Sequence, residues 1–398
     1  MAFAFRTAGS VLFGRGECEK AGGLIAGFSD RVLLVTGAAS AERSGLLERL
    51  SRSLADRGVS FARFSIAGEP DISIVDAGAS AGREAGCGAV LAVGGGSVLD
   101  AGKAIAALAT NGGAALDYLE EVGAGRPVAQ PSLPVVAVPT TAGTGSEVTR
   151  NAVLRVPEAA VKRSMRSDFL LPRVALVDPS LSETAPVPVA AAAGLDALTH
   201  LIESYTSTGA RAMTDALALP GIRLAAGGLR ALAGLADPGT GHSSGEAAPP
   251  SDRMALASLW GGMALANAGL GAVHGLVAAL GGSGRVTHGV ACACLLPHTV
   301  LVNHEALLRR TPDSPALGRY ADVFSVLSPT DPTAEAAAGV LEDLRCRLGV
   351  PGLGTAGLAR AEIEGAVEHS RGGSMRFNPV ELTDAELESI VGAALAQG

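Results

Sequence analysis

Aromatic residues are scarce in this chain of 398 residues, at 3% of the total, and charged residues reach only 18%. The net charge of −8 leaves no basic surface of the kind that binds nucleic acid or an anionic membrane. No stretch approaches the roughly 18–20 apolar residues that a membrane-spanning helix needs. The first residues also lack the charged start and long apolar segment of a signal peptide. The sequence therefore predicts neither a nucleic-acid-binding protein nor a membrane protein.

Cysteine is also rare, and its pattern predicts no disulfide framework. The five cysteines are Cys18, Cys87, Cys292, Cys294 and Cys346, and none forms a Cys-x-x-Cys pair. An odd, scattered set is more typical of a reducing cytoplasm than of a secreted protein. Cys292 and Cys294 lie in the apolar run VACACLLP, so we assign both to the core.

Small and apolar residues are abundant, with 48% hydrophobic residues and 53 glycines. A chain of this length is expected to form two domains. In the first half, strands are predicted at 31–37, 59–66, 89–93, 134–138 and 174–178, and helices at 41–57, 71–86 and 97–110. This alternation predicts a mostly parallel sheet covered by helices, with ligands at the carboxyl ends of its strands.

The character changes after residue 178, where Pro179, Pro186 and Pro188 indicate a linker. We place the domain boundary near 183, giving domains 1–183 and 184–398. Helices are predicted in the second domain at 190–206, 211–233, 252–280, 288–307, 315–327, 332–348 and 384–396. A polar loop spans 236–253, where His242 is expected to face solvent. We assign structural or exposed positions to His298, His304 and His369.

Four residues of the second domain make a candidate first shell for a divalent metal. Asp196 and His200 are four residues apart, so they share one face of a helix. His274 and His288 flank the glycine-rich break at 281–284, which lets two helices bring these histidines together. A carboxylate and three imidazoles, with no thiolate, suit Fe²⁺ and also Zn²⁺, Mn²⁺ or Co²⁺. Any one of these histidines alone is more often a packing or surface residue.

Two loops of the first domain are candidate cofactor sites. Gly94, Gly95 and Gly96 follow the strand at 89–93, with Ser97 predicted as the N-cap of the next helix and Asp100 at its N3 position. Such a helix N-terminus favours a phosphate group. The loop after the strand at 134–138 is rich in hydroxyl groups and glycine: Thr140, Thr141, Gly143, Thr144, Gly145 and Ser146. Either loop could instead be an ordinary turn.

Together these motifs resemble those of the iron-containing (group III) alcohol dehydrogenase family. GGGSVLDAGKAIA, PTTAGTGSEVT, GLDALTHLIESY, GAVHG and THGVACACLLPH occur in the order typical of that family, and the tail NPVELTDAEL extends the resemblance. It implies an α/β N-terminal domain with a Rossmann-like parallel sheet that binds a dinucleotide. It also implies an all-α metal-binding C-terminal domain, the dehydroquinate synthase-like architecture, with a cleft between the two.

The resemblance also assigns individual residues. Asp196, His200, His274 and His288 match the family's metal ligands, and they would act in catalysis through the metal. The positions that match cofactor contacts are Gly37, Gly95, Gly96, Ser97, Asp100, Thr140, Thr141, Thr144, Thr149, Val153 and Lys162. Among them, Gly95, Gly96 and Ser97 match the pyrophosphate loop, and Asp100 matches a contact on the nicotinamide side.

Two positions depart from the family pattern. Many members carry an aspartate after the first strand, where it would repel the 2′-phosphate of NADP, and here that residue is Gly37. The diol-dehydrogenase branch carries a second histidine four residues after the first histidine of the pair, and here that position is Ala278. Without the aspartate, the site permits NADPH. Without the second histidine, a proton relay is missing, and the substrate branch of the family stays open.

The resemblance implies a metal-dependent oxidoreductase that interconverts an alcohol and an aldehyde or ketone, for instance a biosynthetic aldehyde reductase. Fe²⁺ or Zn²⁺, with NADPH or NADH, would serve it in a cytoplasmic homodimer. Alternatives on the same scaffold are a polyol-phosphate dehydrogenase, a sugar-phosphate cyclase and a metal-free maleylacetate reductase, and a catalytically silent binding protein is a different class. Arg150, Arg155, Arg163 and Arg166 form either a phosphate site or a solvated basic edge.

Overall fold

The computed structural model describes residues 2–159, 161–235, 248–281 and 285–396. His242 and most of the loop predicted at 236–253 lie outside the described residues, as do residues 282–284 of the glycine-rich break. The chain forms two compact units. The sheet unit comprises Arg6–Thr141 and Gly145–Thr184. The helical unit comprises Ala142–Thr144, the chain from Ala185 onward and residues 2–5.

The sheet unit contains six parallel strands in the order β1-β8-β5-β4-β2-β3. The strands are β1 (Ser10–Phe13), β2 (Arg31–Gly37), β3 (Ser60–Ile66), β4 (Ala89–Gly94), β5 (Val135–Pro139) and β8 (Val174–Val177). β4 is buried along its whole length because helices cover both faces of the sheet. Leu33 and Val90 join the core on one face, and Leu34 and Leu91 join the core on the other, as a period of two requires.

Five helices cover this sheet: α1 (Ala21–Ala26), α2 (Ser40–Arg43), α3 (Leu46–Ala55), α4 (Ile72–Glu84) and α5 (Gly96–Asn111). The single helix predicted at 41–57 is wrong, because Gly45 adopts a left-handed conformation (φ 70°) that separates α2 from α3. An antiparallel hairpin, β6 (Asn151–Val156) and β7 (Val161–Arg166), was not predicted. The alternation signal was weak, because the exposed position 153 of β6 is a valine and three of the six residues of β7 are charged.

The helical unit contains nine α-helices among the described residues. They are α6 (Val187–Thr206), α7 (Ala212–Leu232), α8 (Pro250–Ala268), α9 (Ala272–Leu280), α10 (His288–Arg310), α11 (Pro315–Leu327), α12 (Ala334–Arg347), α13 (Ile363–His369) and α14 (Asp384–Ala396). Pro188 lies in the first turn of α6 rather than in a linker, where its missing N–H costs nothing. α13 was not predicted.

The structure divides the single helix predicted at 252–280 into α8 and α9, which are bent by 95°. Gly269 ends α8 with a φ of 74°, a value that side chains other than glycine rarely adopt. α6, α7 and α8 pack closely against one another. A Cβ atom at Gly221 of α7 would come within 2.5 Å of Leu201 Cδ2 on α6, so a glycine is needed for this approach.

Within the described residues, α10 is long and apolar enough to span a membrane, and α8 with α9 would pass the same test if they were counted as one bent span. However, 72% of the apolar window of α10 is buried inside the protein. Cys292, Leu295 and Leu296 of α10 belong to the core of the helical unit. We therefore describe α10 as a core helix.

Candidate active site

Asp196 and His200 lie one turn apart on α6 and face the same point. Both side chains are almost fully buried, at 3% and 6% exposure, and His200 Nε2 is 3.6 Å from Asp196 Oδ1. The spacing of four residues produces this geometry because such residues share a helix face. Gly261 of α8 lies against His200, where a Cβ atom would come within 3.4 Å of His200 Cβ.

His274 on α9 and His288, the first residue of α10, complete the group. Their Nε2 atoms lie 3.3 and 3.5 Å from the same oxygen, Asp196 Oδ1. Three imidazole nitrogens thus surround one carboxylate oxygen, which is buried and accepts no hydrogen bond from the described residues. A buried oxygen of this kind calls for a partner, and a divalent cation fits because each of the four side chains can direct a lone pair at it. The side chain of His288 is 42% exposed, whereas those of Asp196, His200 and His274 are almost fully buried.

The second ring nitrogens of two histidines have acceptors that fix their tautomers. His274 Nδ1 lies 2.7 Å from Glu203 Oε2, and His200 Nδ1 lies 3.3 Å from the carbonyl oxygen of Gly143. With hydrogen on Nδ1 donated to these oxygens, each Nε2 lone pair is directed at the centre. A carboxylate behind a ligating histidine is a common arrangement at metal sites.

Glu203 and Asn378 also hold the start of α9. The N–H of Val273 donates to Glu203 Oε1 (2.7 Å), and the N–H of Ala272 donates to Asn378 Oδ1 (3.0 Å). These bonds satisfy N–H groups that have no acceptor within the helix. They place His274 relative to α6, which carries Glu203. Sequence reasoning missed Glu203, although it follows Asp196 by seven residues and so lies on nearly the same helix face.

Cys292 is a second residue that the sequence analysis missed. Its side chain is fully buried, as expected, but its Sγ lies 3.7 Å from His274 Nε2. Donor atoms of Asp196, His274, His288 and Cys292 all lie within 4.8 Å of one another. The candidate group therefore includes a sulfur atom, which the sequence analysis assigned to the core. The signal was present, because Cys292 follows His288 by four residues and shares its face of α10.

Burial and charge act in opposite directions on these groups. Burial lowers the pKa of His200 to about 3, so its imidazole is neutral. Burial alone would raise the pKa of Asp196. The imidazoles of His200 and His288 lower that pKa by a larger amount, so it lies well below its usual value. An ionised carboxylate beside a neutral imidazole is a suitable pair of ligands for a divalent cation.

In the sheet unit, the loop after β4 leads directly into α5. The N-cap of α5 is Gly95, in an extended conformation, so the predictions of Ser97 as N-cap and Asp100 at N3 are wrong. Glycine is accepted as an N-cap, and here it moves the start of the helix two residues earlier. The first-turn N–H groups of Gly96 and Ser97 have no acceptor within the helix and remain suited to an anion.

The carboxylate of Asp100 makes hydrogen bonds and an ion pair within the sheet unit. Its Oδ1 accepts the Ser146 hydroxyl (2.5 Å) and lies 3.0 Å from Lys103 Nζ, and its Oδ2 accepts the N–H of Val153 (2.9 Å). The fully buried Lys103 also donates to Thr149 Oγ1 (3.0 Å) and to the carbonyl oxygens of Ser146 and Asn151. Asp100, Thr149 and Val153 therefore belong to a network that ties the loop after β5 to α5.

The other predicted cofactor positions lie at or near the carboxyl ends of the strands. Gly37 ends β2, and Thr140 follows β5, where its N–H donates to the carbonyl oxygen of Gly94 at the end of β4. Thr141 is next to Gly95: a Cβ atom at Gly95 would lie 3.4 Å from the Thr141 side chain. Thr144 belongs to the helical unit, with Gly143.

Ion pairs engage the basic residues near β6 and β7. Lys162 Nζ lies 2.5 Å from Glu69 Oε1. The four arginines pair with Asp168 (Arg150), Asp71 (Arg155), Glu121 (Arg163) and Glu120 (Arg166) at 2.8–3.5 Å. A phosphate would have to compete with these carboxylates, so the geometry favours the basic-edge interpretation over a phosphate site.

Two features together define a metal-dependent dehydrogenase architecture. One is the parallel-sheet unit, and the other is a helical unit in which a carboxylate and histidines converge on one point. Sequence comparison agrees: residues 8–179 match the family described as iron-containing alcohol dehydrogenase, and residues 190–395 match its C-terminal domain. The chain belongs to the iron-containing alcohol dehydrogenase family. It is an alcohol dehydrogenase or aldehyde reductase, which confirms the activity expected from the sequence.

Individual relatives support this membership over most of the chain. It is 35% identical to alcohol dehydrogenase 4 of Saccharomyces cerevisiae over 382 residues, 95% of each chain. It is also 35% identical to the probable alcohol dehydrogenase EutG of Escherichia coli over 356 residues, 88% of this chain and 83% of that protein. The crystal structure of a 1,3-propanediol oxidoreductase superposes with a TM-score of 0.85 at 32% identity, covering 99% of this chain and 100% of the other.

Membership of this family also identifies the cofactors. Iron-containing alcohol dehydrogenases use Fe²⁺ and NAD(H), and the buried group around Asp196 offers donors for such a metal. The predicted fold class, an α/β domain followed by a helical domain, is confirmed by the structures of relatives.

Proposed function

We propose that Asp196, His200, His274 and His288 hold the divalent metal of this oxidoreductase. The observation that carries the proposal is the convergence of three Nε2 atoms on the unpartnered Oδ1 of Asp196. Fe²⁺ is the metal expected from the family, and Zn²⁺ is the main alternative for this donor set. In this proposal residues 184–398 form the metal-binding domain and residues 1–183 the dinucleotide-binding domain.

When bound, the metal supplies Lewis-acid polarisation of the alcohol or carbonyl oxygen. The chain's own side chains prepare the site for that role. Glu203 and the carbonyl oxygen of Gly143 keep hydrogen on Nδ1 of His274 and His200, so the Nε2 lone pairs stay available. Ala278 offers no imidazole for a proton relay.

The cofactor role is assigned to the loops at the ends of β4 and β5. The N–H groups of Gly95, Gly96 and Ser97 would hold the pyrophosphate at the start of α5. Thr140, Thr141 and Thr144 would contact the cofactor from the second loop. Asp100, Thr149 and Val153 would act by fixing that loop through Lys103, and Lys162 would act from its ion pair with Glu69. When bound, the nicotinamide would supply the hydride-transfer chemistry of the reaction.

The substrate class proposed is a small primary alcohol and its aldehyde, with aldehyde reduction as the biosynthetic direction. Support comes from the relatives: one similar protein is an NAD-dependent methanol dehydrogenase of Bacillus methanolicus (32% identity), and another is a 1,3-propanediol dehydrogenase of Citrobacter freundii (37% identity). A sulfoacetaldehyde reductase structure is also similar, with a TM-score of 0.82, so anionic aldehydes belong in any substrate screen. We further propose a cytoplasmic homodimer. Sedimentation of the purified protein would test the dimer, and fractionation of cells would test the location.

The test compares Asp196→Asn and His288→Gln with His304→Gln. His304 is on the same helix as His288 but packs against Tyr320 and Phe324. Bound metal and the rate of nicotinamide oxidation with a panel of aldehydes are measured for each protein. The expected result is loss of metal and activity in the first two variants and retention of both in His304→Gln. Full activity in a metal-free Asp196→Asn protein would contradict the proposal.

A further inference from the structure

Helices α6 and α10 each carry two candidate metal donors at the same spacing. α6 carries Asp196 and His200 four residues apart, and α10 carries His288 and Cys292 four residues apart. His274 comes from α9 and lies between them, with its ring stacked on His200 at 4.5 Å and tilted to His288 at 5.4 Å. Donor atoms of four of these side chains, Asp196, His274, His288 and Cys292, lie within 4.8 Å of one another, and one of them is a thiol.

Cys292 is distinguished from its neighbour Cys294 by the direction of its side chain. Cys292 Sγ lies 3.7 Å from His274 Nε2, whereas Cys294 Sγ donates to the carbonyl oxygen of Pro351 at 3.4 Å. Two residues correspond to more than half a helix turn, so the two thiols point away from each other. Both are buried. On α10, Cys292 therefore places its sulfur atom beside the candidate metal ligands, and Cys294 places its sulfur atom against Pro351.

A second, independent observation indicates that a ligand belongs here. Asp196 Oδ1 is buried without a hydrogen-bond donor, although three ring nitrogens lie within 3.6 Å of it. Burying a carboxylate oxygen without a hydrogen-bond donor is costly, and a cation at the common centre reduces that cost. The same centre is within reach of Cys292, because its Sγ and the donor atoms of Asp196, His274 and His288 lie within 4.8 Å of one another.

We propose that Cys292 is an additional donor to the metal in this chain. On binding, the metal–sulfur bond replaces the S–H bond, the proton leaves to solvent, and no oxidation state changes. A sulfur donor raises the affinity of the site for Zn²⁺ and Co²⁺ relative to a site with only oxygen and nitrogen donors. The proposal rests on the proposed function, because it assumes that Asp196 and the histidines hold the metal.

The experiment replaces the metal by Co²⁺, whose spectrum reports its donors. The proteins are the unmodified chain, Cys292→Ser, Cys292→Ala and the matched control Cys294→Ser. A sulfur-to-cobalt charge-transfer band in the near ultraviolet is expected in the unmodified chain and in Cys294→Ser. It is expected to be absent in both Cys292 variants, at equal cobalt content. Circular dichroism checks that all four proteins are folded.

Metal affinity provides a second measurement. Competition with a chromophoric chelator is expected to show Zn²⁺ binding about 10-fold or more weaker in Cys292→Ser than in Cys294→Ser. Unchanged spectra and affinities in the Cys292 variants, with metal lost in Asp196→Asn, would overturn the role of Cys292 alone. Failure of the unmodified chain to bind metal would overturn the proposed function as well.

Discussion

Gly37 ends β2, and in our proposal it takes the place where an acidic side chain would oppose the 2′-phosphate of NADP. A like-charge contact there costs roughly 1–3 kcal/mol, or about 10–100-fold in affinity. A Cβ atom at Gly37 would lie 3.1 Å from Ser40 Oγ, and that hydroxyl can rotate away, so a side chain can be accommodated. The identity of this one residue therefore bears on cofactor choice.

We predict that NADPH serves this enzyme at least as well as NADH, and that Gly37→Asp shifts the preference towards NADH by about 10–100-fold. The measurement is kcat/KM for both cofactors. Gly37→Ala is the matched control because it adds the same Cβ atom without the charge, and its ratio should stay close to that of the unmodified chain. An unchanged ratio in Gly37→Asp would mean that Gly37 does not face the ribose.

Single residues also show which parts of the site the sequence could predict. Asp196, His200, His274 and His288 stood out because a carboxylate and histidines are uncommon in apolar segments. Glu203 and Cys292 did not, because the first reads as an ordinary helix residue and the second as an ordinary core residue. Their roles depend on which neighbours the fold brings to them.

At the scale of elements, the start of α9 determines where His274 lies. Asn378 accepts the N–H of Ala272, and it also exchanges hydrogen bonds with Asn303. Thr333 caps α12 in a comparable way, accepting the N–H of Ala336 at 3.2 Å, but this helix carries no metal ligand. Of the two helix starts, only that of α9 therefore lies beside a proposed metal ligand.

We predict that Asn378→Ala lowers the free energy of unfolding by at least about 1 kcal/mol and also weakens metal binding, because α9 loses its fixed start. Thr333→Ala should lower stability by about 1 kcal/mol and leave metal affinity unchanged. Urea unfolding and chelator competition measure the two effects. Equal metal affinities in both variants would show that the cap does not position His274.

Most helices and central strands could be predicted from sequence periodicity, and the errors have local causes. The helices predicted at 41–57 and 252–280 are each divided by a glycine with positive φ, Gly45 or Gly269. Periodicity continues across such a residue, so the pattern does not show the break. β1 and the β6–β7 hairpin were missed because short or charge-rich strands carry a weak alternation signal.

At the scale of the whole molecule, the sheet unit contains a buried acid that links its stability to pH. Glu147 is 2% exposed, and burial raises its pKa from 4.5 to about 7, with Lys103 opposing the rise. Asp100 is the other charged group in this network, next to Lys103. Because the folded-state pKa is higher than the unfolded one, the folded state holds the Glu147 proton across this pH range.

We predict that this contribution to stability is fully present below about pH 4.5 and is lost as pH rises through about 7. The total loss is about 3 kcal/mol. Glu147→Gln should remove this part of the pH dependence, whereas Glu158→Gln, at an exposed position, should keep it. Urea unfolding of the three proteins from about pH 5 to about pH 8 is the measurement. Parallel pH curves for Glu147→Gln and the unmodified chain would contradict the prediction.

The sequence by itself determined the two-part architecture, the family and four candidate metal ligands. It could do so because strand–helix alternation, the glycine loops and the spacing of four residues are local properties of the chain. Only the tertiary structure decided that Asp196 Oδ1 faces three Nε2 atoms, that Glu203 orients His274 and that Cys292 joins them. These contacts join α6, α9 and α10, and their distances follow from how those helices pack, which no local pattern in the sequence encodes.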